Sequence, residues 1–144
     1  MSNDIFSQNF YLNKVKPYEK YEKAASEKIK IIYNVEIYEL FNKSNGNKYD
    51  FFAENKKYEV KYDASSNITG NFYIEYSGYG KPSGISISEA DYYIITNGEI
   101  YYMIDINILK ALCKKYGVIR TTKDKLNFGH CINTNIIIEN SIII

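Results

Sequence analysis

The period of apolar residues along this chain changes several times, and each change marks an element. Behind Pro17, which suits a first helical turn, Tyr21, Ala25, Ile29 and Ile32 recur at helical spacing and predict a helix over residues 18–33. Apolar and aromatic residues then cluster in short runs that predict strands over 49–53, 57–63 and 71–76. Asn55-Lys56 is the expected turn of the first hairpin. Residues 77–84 hold three glycines and Pro82 and read as a mobile loop. Asn97-Gly98, a strong short hairpin signal, separates strands expected over 91–96 and 99–105. An amphipathic helix follows over 107–116, with Ile108, Leu109 and Leu112 apolar and Gly117 as its stop. The two isoleucine runs within 135–144 read as strands, too sticky to be left exposed, so they should pair within the fold or across a dimer.

Strands and helices without a repeating beta-alpha rhythm predict an α/β (α+β) fold, a central mixed sheet flanked by helices. With 144 residues the chain suits one domain: an N-terminal extension over 1–16, a core over about 17–120 and a strand-rich tail over 121–144.

The first hairpin carries the chemistry. A two-residue turn at 55–56 would pair Glu54 with Lys57, Phe52 with Glu59 and Asp50 with Lys61. Because side chains alternate along a strand, Glu59 and Lys61 would share a face with Asp50, while Tyr58, Val60 and Tyr62 turn into a core. Two carboxylates and an ammonium on one face suit phosphodiester hydrolysis. Asp50, Glu59 and the Val60 carbonyl are oxygen ligands that fit Mg²⁺, with Mn²⁺ as a substitute. Beside such a site Lys61 should stay an ammonium, suited to stabilising charge at the attacking water or phosphate. The tripeptide pattern recurs at Glu54-Asn55-Lys56, so spacing alone is not diagnostic, and a solvated strand face with a weak ion pair is the plain alternative.

On the first helix, Glu22 lies at the edge of the apolar stripe beside Ile29, whereas Glu27 points away. Glu22 is thereby placed to support a metal or a water, the alternative being a boundary glutamate paired with Lys23 or Lys28.

Net charge is only +1, with 18 basic and 17 acidic residues, so any nucleic-acid footprint must be local. Lys81 and Ser83 in the glycine-rich loop are candidates to meet a phosphate, as are Lys114, Lys115 and Arg120 within a basic stretch that also contains Lys110, Lys123 and Lys125. Lysines at a helix C-terminus also suit its dipole without any ligand. The 16 tyrosines invite base stacking, though abundant Ile, Lys, Asn and Tyr together look compositional. Cys113, Cys131 and the single His130 are too few for a disulfide framework or a four-ligand zinc site. The polar start at Met1 and the lack of a long apolar run point to an intracellular protein with no membrane span.

Asp50 and Glu59-Val60-Lys61 together resemble the PD-(D/E)xK, or restriction-endonuclease-like, nuclease superfamily, with Tyr49 standing where proline is usual. Tyr21-Glu22-Lys23-Ala24-Ala25 is similar to the aromatic-Glu-x-small-small pattern of its first core helix. Residues 71–76, 81–85 and 88–93 resemble phage and large-virus members. The resemblance spans about residues 18–116. It implies a restriction-endonuclease-like core and a Mg²⁺-dependent nuclease acting on DNA in recombination, repair or restriction, with Asp50, Glu59, Lys61 and Glu22 as its catalytic set. A Holliday-junction resolvase, dimeric and selective for branched DNA, is one such enzyme. An inactive nuclease-like module that binds nucleic acid or protein, and an RNA-processing nuclease, are the alternatives.

Overall fold

The computed structural model describes residues 16–41 and 48–144. Over these residues the chain is a mixed α/β fold with two sheets and four helices. Helix α1 spans Lys16–Tyr33, so Pro17 falls in its first turn as expected, and α2 is the single turn Ser66–Thr69. The N-terminal extension expected over 1–16 lies, apart from Lys16, outside the described residues.

Sheet one has the order β1-β2-β5-β6-β9, built from Phe51–Ala53, Lys56–Tyr62, Tyr92–Thr96, Tyr101–Asp105 and Ile142–Ile143. It is mixed, because β2 runs parallel to β5 while the other neighbours are antiparallel. Sheet two is antiparallel in the order β4-β3-β8-β7, from Lys81–Pro82, Asn71–Gly78, Asn127–Asn133 and Val118–Thr121.

Two cores fix the layers. On one face of sheet one, Tyr58, Val60, Ile94 and Met103 pack with Ala25 and Ile29 of α1. On the other face, Tyr93, Ile95, Tyr102 and Ile104 pack with Phe72, Ile74 and Ile132 of sheet two. Leu109 of α3 (Ile106–Tyr116) and Ile137 of α4 (Thr134–Glu139) join that second core. Alternation along β2 does the sorting. Tyr58 and Val60 go to the α1 side, so Glu59 and Lys61 turn toward the side that sheet two covers.

Several expectations are corrected. The first hairpin turns at Glu54-Asn55, not Asn55-Lys56, with both residues at positive φ (44° and 65°) as a two-residue primed turn requires. The register becomes Phe51↔Tyr58, Phe52↔Lys57 and Ala53↔Lys56. That is a slip of two residues, which keeps every side chain on its expected face. The presumed mobile loop is largely a second hairpin: β3 runs on to Gly78 and pairs with β4, the turn at Tyr79-Gly80 again having positive φ. The C-terminal segment is not two strands. Its first isoleucine run is α4, with the Asn133 side chain accepting from Asn135 N and Ile137 buried, and only Ile142–Ile143 forms a strand, paired with β6. Asn97-Gly98 opens a four-residue loop, Thr96 pairing with Tyr101. On α1 the stripe centres on Ala25 and Ile29; Ile32 is half exposed.

Among the described residues no helix is long and apolar enough to cross a membrane. Cys113 is buried and Cys131 half-buried, and neither forms a disulfide.

Candidate active-site cleft

Strand β1 ends where the site begins. Just ahead of Phe51, the Asp50 N–H donates to the Tyr58 carbonyl at 2.7 Å and its Oδ2 accepts from Val60 N at 2.6 Å. The carboxylate thus continues, in place of main chain, the pairing that β1 abandons. Asp50 is 5% exposed, and this bond holds its acid against the backbone between Glu59 and Lys61. Nearby backbone bonds clamp the approach: Glu89 N donates to Lys48 O, while Lys57 and Asp91 exchange N–H bonds, the Lys57 N–H going to the Asp91 carboxylate.

Asp50, Glu59 and Lys61 line one cleft of about 230 Å³. Lys61 Nζ lies 3.0 Å from Glu59 Oε1, and the Glu59 side chain is largely buried. Burial would push the Lys61 ammonium down, but the Glu59 carboxylate beside it, with Asp50 adding to the field, more than offsets this and holds its pKa above the ordinary lysine value. The Glu59 carboxylate thus favours the ammonium form of Lys61.

Glu75 is the acid that sequence reasoning did not single out. It lies in β3, across the gap between the sheets, and lines the same cleft. A bulge falls right after it: Glu75 pairs with Gly129 and Ser77 with Phe128, leaving Tyr76 extra. Bulges kink a strand and re-aim the flanking side chains. Ser83 Oγ donates to Glu75 Oε2 at 2.9 Å, and Gly84, at φ 52°, passes so close that a Cβ there would sit 2.2 Å from the Glu75 carbonyl oxygen. The glycine-rich stretch thus contributes Gly84 to the cleft wall, while Ser83, half-buried and not among the residues lining the cleft, is hydrogen-bonded to Glu75. A carboxylate in mid-strand followed by a Gly-Pro-Gly-rich hairpin was the one available signal.

The other named residues fall elsewhere. Glu22 is half-buried on α1, with Oε2 fully buried, and is not among the residues lining the cleft. Val60 has its side chain in the α1-side core while its N–H serves Asp50. Lys81 is exposed on β4, Lys114 and Lys115 occupy the last turn of α3, and Arg120 is exposed on β7 with its guanidinium on the Ile119 carbonyl. None of these four lines the cleft; Lys48 does.

Among the described residues no cluster of three or more His, Cys, Asp or Glu side chains is arranged to hold a metal. The donors in the cleft, Asp50, Glu59 and Glu75, are all hard oxygens, the kind Mg²⁺ takes together with several waters. The donor chemistry fits that ion.

Comparison with protein-family models, with curated proteins and with solved structures returned no match for this chain.

Proposed function

We propose that the protein is a metal-dependent nuclease that hydrolyses DNA phosphodiester bonds, an endonuclease of the recombination, repair or restriction kind. One observation carries this: Asp50, Glu59 and Lys61, up to eleven positions apart in sequence, line one open cleft together with a third acid, Glu75, whose carboxylate accepts a hydrogen bond from Ser83. The resemblance of these residues to the PD-(D/E)xK pattern supports the same reading.

In this site Asp50 and Glu59, with the Val60 carbonyl, would hold Mg²⁺. When bound, that ion supplies an activated water and neutralises charge on the phosphoryl oxygens. The protein groups have separable tasks. Lys61, kept cationic by Glu59, stabilises negative charge developing on the phosphate and orients the attacking water. Asp50, anchored on Val60 N, fixes the cleft's inner wall so that the second carboxylate need not reorganise. Glu75 stands opposite, steadied by Ser83, able to accept a proton from a water or hydroxyl in the cleft.

A second reading has its own observation. Asp50 is committed to Val60 N and Glu59 to Lys61, so both acids are already satisfied internally. That arrangement also suits a nuclease-like module that binds without cutting.

An assay of single-stranded, duplex and branched DNA with Mg²⁺, Mn²⁺ or EDTA separates the two. The nuclease requires cleavage with Mg²⁺ or Mn²⁺, none in EDTA, and loss of that cleavage in Lys61→Ala with the fold intact. Binding without cleavage under either ion assigns the module instead.

A further inference from the structure

A second, larger cleft of about 430 Å³ opens on the other side of Lys61. Lys61 and Glu75 line both clefts, so the two are neighbours sharing a wall. Their linings differ. Beyond Lys61 the second cleft is aromatic, with Tyr18, Tyr62, Tyr73 and Tyr93 around it.

Two features mark it as built for a ligand and not as leftover space. Its aromatic wall is firm, with Tyr93 only 1% exposed and the hydroxyls of Tyr93 and Tyr73 buried. Tyr73 is held rigidly. Its ring lies against Gly129, where a Cβ would come within 2.5 Å of the ring, and its N–H donates to Asp63 Oδ2 at 2.9 Å. Finally, the rings are graded from fixed to open: Tyr62 is stacked on Tyr21 at 4.0 Å between centroids, while Tyr18, edge-on to Tyr62, is 58% exposed. The Tyr18 face is free to receive a flat group.

We infer that this second cleft is a nucleoside subsite, holding the unpaired base and sugar that flank the phosphate at Lys61. The base stacks on Tyr18, against the aromatic wall that Tyr62, Tyr73 and Tyr93 form. A volume of about 430 Å³ lies in the range of small-ligand sites, and aromatic stacking tolerates any base. A base reaches such a pocket only when it is out of the double helix, so the subsite selects single strands, flaps or branch points over continuous duplex. The inference rests on the nuclease reading for the phosphate at Lys61, but the subsite itself requires only binding.

The test therefore measures binding in EDTA, with the full chain and fluorescently labelled oligonucleotides. The probes are a single-stranded DNA, the RNA of the same sequence, the duplex, and an abasic DNA strand with the same backbone. The subsite requires the single strand to bind roughly tenfold tighter than its abasic counterpart. Tyr18→Ala removes most of that advantage and leaves abasic binding unchanged, whereas Tyr18→Phe, which keeps the stacking ring, retains it; Tyr18 is exposed, so both variants fold. Whichever of DNA and RNA gives the larger base-dependent gain names the natural strand. Equal affinity for the abasic strand, preference for the duplex, or wild-type binding in Tyr18→Ala overturns the subsite. Cleavage with Mg²⁺ is followed in parallel: cleavage without base-dependent binding overturns only the subsite, and base-dependent binding without cleavage supports the subsite while removing the nuclease reading.

Discussion

Asp50 does two jobs with one carboxylate, and they can be separated. Asp50→Asn keeps an oxygen that can accept from Val60 N, whereas Asp50→Ala leaves that buried N–H without its partner. Leaving a buried donor unpaired costs about 1–3 kcal/mol. Denaturant unfolding is therefore expected to show Asp50→Ala clearly less stable than Asp50→Asn, with cleavage lost in both; equal stability would mean the bond to Val60 contributes nothing. Gly84 is as sensitive for a different reason. Any side chain there meets the Glu75 carbonyl at a φ of 52°, so Gly84→Ala should lower the melting temperature by an amount matching about 1–3 kcal/mol and displace Glu75 from the cleft wall. Wild-type stability in that variant would refute the close approach.

Strand faces were legible because they depend only on alternation. Glu59 and Lys61 sort away from Tyr58 and Val60 whatever the turn, and a two-residue slip in the first hairpin left that sorting intact. Turn position was not legible: Glu54 and Asn55 adopt positive φ without the glycine that usually announces it. The α3 boundaries were readable from composition, since Asp105 caps the helix by accepting from Asn107 and Ile108 N–H groups and Gly117 ends it. Removing that cap with Asp105→Ala is expected to cost about 1 kcal/mol, measurable as a shift of the urea midpoint. At the C-terminus β-branched residues suggested strand, and tertiary context won: capping by Asn133 and burial of Ile137 made a helix of the first run. Glu75 escaped because its placement depends on a bulge pairing it with Gly129 some fifty positions away, a contact no local pattern encodes.

At the scale of the whole molecule charge is nearly balanced, so the proposed nucleic-acid contact must come from a small region around Lys61 and Lys48. The exposed Lys114, Lys115 and Arg120 lie outside that region's walls. Replacing all three with alanine is expected to lower the slope of log affinity against log salt by about 0.7–0.9 for each one that touches a phosphate; an unchanged slope would assign them to the solvated helix end. Alkaline stability follows from the buried acids. Burial pushes Cys113 up from 9.0 to about 12, and Tyr58 and Tyr93 up from 10.0 to about 12. Each folded value exceeds the unfolded one, so this stability is present in full below the unfolded pKa and is lost as pH rises from about 9 toward 12. A melting-temperature series over that window should fall steadily, and Cys113→Val should flatten its lower limb; a flat wild-type series would contradict the burial of these groups. The claim on which the functional account turns is that Glu59 belongs to a hydrolytic site. Purified Glu59→Gln, confirmed as folded by circular dichroism and melting, is to be compared with the wild type for Mg²⁺-dependent cleavage of DNA. The expected result is cleavage by the wild type and none above background by the variant. Full cleavage by folded Glu59→Gln would contradict the account.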